Sequence, residues 1–281
     1  MSRHVTNPLK ATIATLIMRG QMTDSFNPSP TLSVAVIAKN EVDRIGFLLD
    51  SVVSADEVIV VDSGSTDGTV EFCQNRGARV VSAEWQGYAR QKQMALELAR
   101  GQWVLNLDAD EALSPELLKE IKKSINQADD SIKGFSMPRL SRYLNRWIRH
   151  GGWYPDRKVR LVRRGYARWV GDGLHERLQV DGKVEKLQHP VLHYVYRDIG
   201  DQLETINRFS SVFAQVSKQP VSGSYVWLGV GHSFAKFLEC AFWKLGILDG
   251  IPGLIIAVNS AFYVFLKHAK AWEQTHSRPA T

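Results

Sequence analysis

From Leu32 onward, short apolar runs alternate with segments of helical period, and this alternation restricts the fold more than any other feature of the chain. Leu32 to Ala38 (LSVAVIA), Glu57 to Val61 (EVIVV) and Trp103 to Leu107 (WVLNL) read as buried strands, with Arg79 to Ser82 as a shorter one between them. Val42 to Ser51, Asp67 to Arg76 and Tyr88 to Ala99 carry the helical period. Ser114-Pro115-Glu116 opens another helix with a cap, a first-turn proline and an acid at the positive end of the dipole. Parallel strands need long crossovers, and helices supply them. The expected class is therefore α/β, a Rossmann-like, mostly parallel sheet with helices on both faces.

Acidic residues follow these strands directly: Glu41 after the first (AKNE), Asp62 after the second (VVDSGSTDGT), and Asp108 with Asp110 after the fourth (LNLDADE). In open parallel sheets ligands bind beyond the carboxyl ends of the strands, so these acids are expected to meet in one crevice. Crowded carboxylates repel unless a cation sits among them. Oxygen ligands without a Cys or His cluster favour a hard ion, Mg2+ or Mn2+, bridging a phosphorylated ligand. Helix capping is the competing role for Asp62, and Ser65 and Asp67 are read as caps.

The chain's 281 residues are ample for a core without staples, and its two cysteines, Cys73 and Cys240, form neither a C-x-x-C pair nor a zinc pattern. A reducing compartment fits that usage. The formal charge of +6 is unevenly spread: Arg139 to Arg168 holds ten Lys and Arg against one acid, Asp156. A basic surplus confined to one stretch points to a local anionic partner. Residues 1–30 read as a flexible leader, because the apolar run Ala14 to Met18 is cut by Arg19 and is too short for a secretory segment. Beyond Gly134 the alternation loosens into short strands, Lys158 to Val162 and Glu176 to Val180, followed by a helix over Asp198 to Ser217.

The runs AVIAKNE, EVIVVDSGSTDGT, GYARQKQMAL and GQWVLNLDADE, in this order and spacing, closely resemble the nucleotide-sugar half of family 2 glycosyltransferases with the GT-A fold. The resemblance implies a UDP-sugar donor, with Asp62 accepting from uracil or ribose, Asp108 by the ribose and metal, and Asp110 as the metal ligand of a D-x-D motif. Glu41 belongs to the same donor crevice. Lys92 stands where the family has a basic residue facing the nucleotide. The stretch GGWYPDRKVRLVRRGYARWVGDGLHERL, then HPVLHYVYRD and a later LDG, looks like bacterial lipopolysaccharide core glucosyltransferases. It implies a lipid-linked oligosaccharide acceptor and no nucleic acid, with polyprenyl phosphate as the alternative acceptor. The resulting organisation is residues 31–220 as a GT-A domain (31–127 donor half, 128–220 acceptor half), followed by a helical membrane-associating region over 221–281.

Inverting transfer needs a base for the acceptor hydroxyl. Glu176, in the family's His-Glu signature, is the expected base, with Asp172 as runner-up and His175 as a neighbour. Trp153, Tyr154 and Trp169 are candidate sugar platforms, with Asp156, Arg157 and Arg160 able to bond hydroxyls or phosphate. A nucleic-acid-binding protein would explain the arginines but lacks a reading motif and leaves the ordered acids without a role. A catalytically dead scaffold is disfavoured by the intact D-A-D and Glu176.

Gly250 to Leu266 is uncharged but falls short of the roughly 20 residues a crossing requires, so an in-plane or re-entrant anchor is expected. Val226 to Leu248 reads as one amphipathic interfacial helix. The basic run adds attraction to anionic lipid. Together they imply peripheral attachment at the cytoplasmic face of a bacterial inner membrane.

Overall fold

The computed structural model describes residues 31–171, 176–216 and 222–276. Four parallel strands come first: β1 (Leu32–Ala38), β2 (Glu57–Asp62), β3 (Arg79–Ser82) and β4 (Trp103–Asp108). Helices α1 (Ile45–Ser51), α2 (Thr69–Asn75) and α3 (Tyr88–Leu98) connect them. Nearly every residue of β1 is buried, as a central strand covered on both faces must be. Its side chains divide by parity. Val34 and Val36 join a core with Ile45, Leu48, Leu117 and Ile121, while Ala35 joins Ile59, Ala95, Leu96 and Val162 on the opposite face. Helix α4 (Pro115–Gln127) starts where Ser114 Oγ accepts the Leu117 N–H at 3.1 Å, and it buries Leu117, Ile121 and Ile125 along one stripe.

Beyond β4 come β5 (Glu111–Leu113), β6 (Ile132–Tyr143), β7 (Arg146–Trp147), β8 (Asp156–Arg163), β9 (Ala167–Val170), β10 (Arg177–Val180), β11 (Lys183–Lys186) and β12 (Val191–His193). The main sheet runs β3-β2-β1-β4-β8-β6-β12-β5, with β11 and β7 also paired to β6, and β9 with β10 forms a separate ribbon. The long strand β6 escapes the sequence pattern because Gly134 and Pro138 lie inside it. Strand β11 covers Ile132 to Ser136 and β12 covers Arg139 to Ser141, so Pro138 falls in the gap between them. The missing N–H is tolerated there.

Helix α5 (Ile199–Val216) leads to α6 (Gly223–Leu238), which passes through a π turn at Glu239–Trp243 and a 3-10 turn at Gly246–Asp249 into α7 (Gly250–His276). The single helix expected over Val226 to Leu248 is thus broken. Leu245 takes φ +55, and the chain reverses there. Asp249 fastens the reversal by accepting the N–H groups of Arg149 at 3.0 Å and His150 at 2.8 Å. Gly229 and Gly253 permit the close packing that follows, since a Cβ on the first would lie 2.5 Å from His268 Cβ and on the second 1.9 Å from Gly246 O. An 18-residue window within Gly246–His276 has a mean hydropathy of 1.6, and the helical segment, longer than its uncharged stretch, has the length to cross a bilayer.

Candidate active site

Parallel register sets the site. Ala38 pairs with Asp62 and Ile37 with Asp108, which puts both acids on the carboxyl edge of the same sheet, two strands apart. Asp62 is buried and turns its carboxylate into its own loop, where Oδ2 accepts from the N–H groups of Gly64 at 2.9 Å and Ser65 at 3.0 Å, and the Ser65 hydroxyl bonds Oδ1. Ser65 also accepts the Asn40 N–H at 2.9 Å, so it ties two loops together instead of capping α2. Asp67 does serve the helix start, accepting the Thr69 N–H at 3.0 Å.

Asp108 ends β4, Asp110 lies in the turn and Glu111 opens β5, closing the turn by accepting the Asp108 N–H at 3.0 Å. Each oxygen of Asp108 has a cation: Lys92 Nζ at 2.8 Å and Arg160 Nη2 at 2.7 Å. Arg160 simultaneously holds Glu111 at 2.6 Å, and Arg139 stands 3.7 Å from Glu111 and 2.7 Å from Asp156. Burial opposes charge on Asp108, yet Arg160 and Lys92 outweigh it and hold the carboxyl well below its ordinary range. Burial likewise works against the Lys92 and Arg160 cations, and the acids prevail, raising both.

Lys92 reaches across to Glu176, whose Oε1 is 3.1 Å away, and lies 4.8 Å above the Trp169 ring. The first and last strands of the site are joined through Arg44, which binds Glu41 at 2.6 Å, the Tyr194 carbonyl at 3.4 Å and Asp110 at 3.8 Å. Burial, opposed by Arg44 and reinforced by Asp110, raises the Glu41 carboxyl above its usual value. His193 Nε2 is 3.4 Å from Asp110, while its Nδ1 faces Ser141 Oγ at 3.0 Å. Burial would raise the Asp110 carboxyl, but His193 and Arg44 bring it below the ordinary range.

The structure therefore gathers Glu41, Lys92, Asp108, Asp110, Arg160 and Glu176 around one crevice, with Asp62 farther along the same edge. Arg160, expected to meet an acceptor, is only 5% exposed and has its guanidinium committed to the acids. Trp153 stands apart, stacked at an angle with Tyr143 and Tyr196. Asp172 and His175 lie outside the described residues, as does the 1–30 leader. Arg44, Glu111, Arg139 and His193 complete the site and are not singled out by strand-end reasoning, although Glu111 adjoins the D-A-D and His193 lies within VLHYVYRD.

The chemistry of the donor set tests the expected divalent ion. Among the described residues, no three Asp, Glu, His or Cys side chains converge as a ready-made metal cage. Lys92 and Arg160 contact both oxygens of Asp108 and offset its charge. Asp110 and the neighbouring His193 imidazole remain; the carboxylate suits Mg2+ or Mn2+, with water and phosphate oxygens completing the sphere, while the imidazole nitrogen suits Mn2+ and not the oxygen-seeking Mg2+. Ser141 on Nδ1 would set the tautomer that leaves Nε2 free to ligate.

The basic stretch is partly consumed internally. Arg139, Arg146, Lys158, Arg160 and Arg163 all pair with acids of the same chain. The local charge surplus seen in the sequence is correspondingly smaller at the surface.

The sequence profile described as Glycosyl transferase family 2 matches residues 33–176. A lipopolysaccharide core biosynthesis glycosyltransferase, LpsC, from Rhizobium meliloti (strain 1021) is 30% identical over 88% of this chain and 94% of its own. An uncharacterized glycosyltransferase from Rickettsia bellii (strain RML369-C) is 32% identical, covering 89% of each chain. Among solved structures, the mannosyltransferase PcManGT from Pyrobaculum calidifontis, in complex with GDP-Man and Mn2+, overlaps 94% of each chain at 16% identity with a TM-score of 0.49. With the profile spanning half its length and relatives matched nearly end to end, this chain is a member of glycosyltransferase family 2, built on the α/β architecture its strand pattern implied.

Proposed function

We propose that the enzyme is an inverting, divalent-metal-dependent hexosyltransferase that moves glucose from a UDP-sugar to the inner core of lipopolysaccharide. The observation that carries this reading is the Lys92 ammonium, shared between Asp108 at 2.8 Å and Glu176 at 3.1 Å. One cation thereby ties a strand-end acid on the donor side to the acid proposed as base. The likeness to LpsC across nearly the whole chain supports a lipopolysaccharide acceptor.

In this reading Asp62 and Glu41 shape the nucleotide end and Asp110 would hold Mg2+ or Mn2+, with His193 joining it only for Mn2+. When bound, such an ion offsets charge on the departing diphosphate. Lys92 and Arg160 keep Asp108 ionised and fixed. Glu176 takes the proton of the acceptor hydroxyl as that oxygen attacks the anomeric carbon and the bond to the diphosphate breaks. Trp153 and Asp156 face the acceptor, and Arg160 supports Asp156 through the Glu111 and Arg139 network.

The enzyme would work at the cytoplasmic face of the inner membrane, and the membrane contact in this reading is supported by the reversal between α6 and α7. Trp243 there is 86% exposed and Ile251 74%, with Phe242, Leu245, Ile247 and Leu248 at least half exposed beside them. Lys236 and Lys244 flank this apolar tip.

The test of the base is Glu176→Gln, which should bind the UDP-sugar as the unaltered chain does while losing transfer by at least a hundredfold. Calorimetry showing donor affinity lost in step with turnover would reject the assignment.

A further inference from the structure

A cavity of 210 Å³ opens between α5, α7 and the turn preceding β8, apart from the acidic crevice. Four rings wall it: Trp153, Tyr196, Phe209 and Tyr263. Its polar floor is built from Gln202 and Asn259, which are 4% and 8% exposed. Tyr143 Oη and Asn259 Nδ2 both donate to Gln202 Oε1 at 2.5 Å. That pattern leaves Gln202 Nε2 as a donor and Asn259 Oδ1 as an acceptor with no partner among the described residues. Neither atom is fully buried, so both face the open space of the cavity and are available to bond a polar occupant.

The occupant's class follows from what lines the space. No lining residue carries a formal charge, which removes phosphate and carboxylate ligands. An alkyl chain would suit the rings but would strand both amides without hydrogen bonds. A sugar ring satisfies both demands, offering C–H faces to the aromatics and hydroxyls to the amides. The volume is many times the roughly 10–15 Å³ that a single water requires.

The location fits as well. The Tyr194 N–H donates to the Asp110 carbonyl at 2.8 Å, and Tyr196 lies two residues farther, about 7 Å of extended chain. We infer that this cavity is a subsite for an uncharged pyranose of the acceptor, one sugar removed from the residue that receives the transferred hexose. The inference rests on the glycosyltransferase reading above and deepens it by naming where and by what chemistry the acceptor is recognised.

Saturation-transfer NMR on the full-length protein tests it with methyl gluco-, manno- and galactopyranosides as probes, and with glucose 1-phosphate and dodecanoate as controls. Saturation of the ring protons of at least one neutral glycoside is expected, at least threefold above that of glucose 1-phosphate. It should fall at least threefold in Ser260→Phe, which fills the cavity, or in Thr205→Val, which removes one hydroxyl at constant size and serves if the bulkier variant fails to fold. The subsite is overturned if no neutral glycoside exceeds the phosphate control, if the signal persists undiminished in the folded variants, or if dodecanoate displaces the glycoside. Hydrolysis of UDP-glucose by the unaltered chain is measured alongside. Its absence would count against the transferase reading and leave the glycoside result standing by itself.

Discussion

Removing the Arg160 guanidinium by Arg160→Met is expected to strip the site of its central cation. Arg160 is 5% exposed, and Nη2 alone contacts Asp108 at 2.7 Å and Glu111 at 2.6 Å, while Glu111 is completely buried. Deleting one partner of a buried ion pair costs about 3–5 kcal/mol, because a charge is left without compensation. Here Lys92 still holds Asp108 and Arg139 still stands 3.7 Å from Glu111, so the lower end, about 3 kcal/mol, applies. At about 2–4 °C per kcal/mol for a chain of this size, the melting transition should drop by about 6–12 °C. The pH dependence carries a sign. Asp108 is held well below its ordinary range in the folded protein, so its contribution is complete above the unfolded value of about 3.9 and is lost as pH falls through the folded one. The gap between native and variant proteins should therefore narrow on acidification below about pH 4. Guanidinium unfolding of both proteins from pH 7 down to pH 3 reads this directly. A variant within about 1 kcal/mol of the native protein at pH 7, or a gap that stays constant through the acid range, would refute the reasoning.

Gly253→Ala places a Cβ 1.9 Å from the Gly246 carbonyl oxygen, and overpacking of this kind costs about 1–3 kcal/mol. An unchanged melting temperature would show that the α6–α7 reversal is looser than described. Trp243→Glu combined with Leu248→Glu removes two large apolar side chains from the exposed tip, each contributing about 1.5–3 kcal/mol when buried. Flotation with anionic vesicles should then fall at least a hundredfold, and retention at the native level would place membrane contact elsewhere.

The donor-side architecture was legible because parallel strands covered on both faces must be continuous apolar runs, and LSVAVIA, EVIVV and WVLNL are nothing else. The acids that follow them inherit their position from the sheet, so their meeting could be read without coordinates. What stayed hidden depended on pairings distant in sequence. Arg160 lies on β8, with alternate residues facing opposite sides, and only the register of β8 against β4 brings it under Asp108, 52 residues away. His193 reaches Asp110 because β12 pairs with β5, a strand of only three residues with no periodicity to detect. Gly134 and Pro138 concealed β6 by breaking its propensity, although the sheet accommodates both. Lys92 and Arg160, the two cations on Asp108, come from α3 and β8, which the strand ends do not place.

The most direct measurement is the hydrolysis of UDP-, GDP- and dTDP-sugars by the purified protein, with Mn2+, with Mg2+ and with excess EDTA, compared with Asp110→Ala. The account predicts turnover of a UDP-sugar only with a divalent ion, lowered by at least a hundredfold in the variant, or about 2.7 kcal/mol of transition-state stabilisation. Equal turnover by Asp110→Ala in EDTA, or turnover of a GDP- or dTDP-sugar in place of the UDP-sugar, would contradict it.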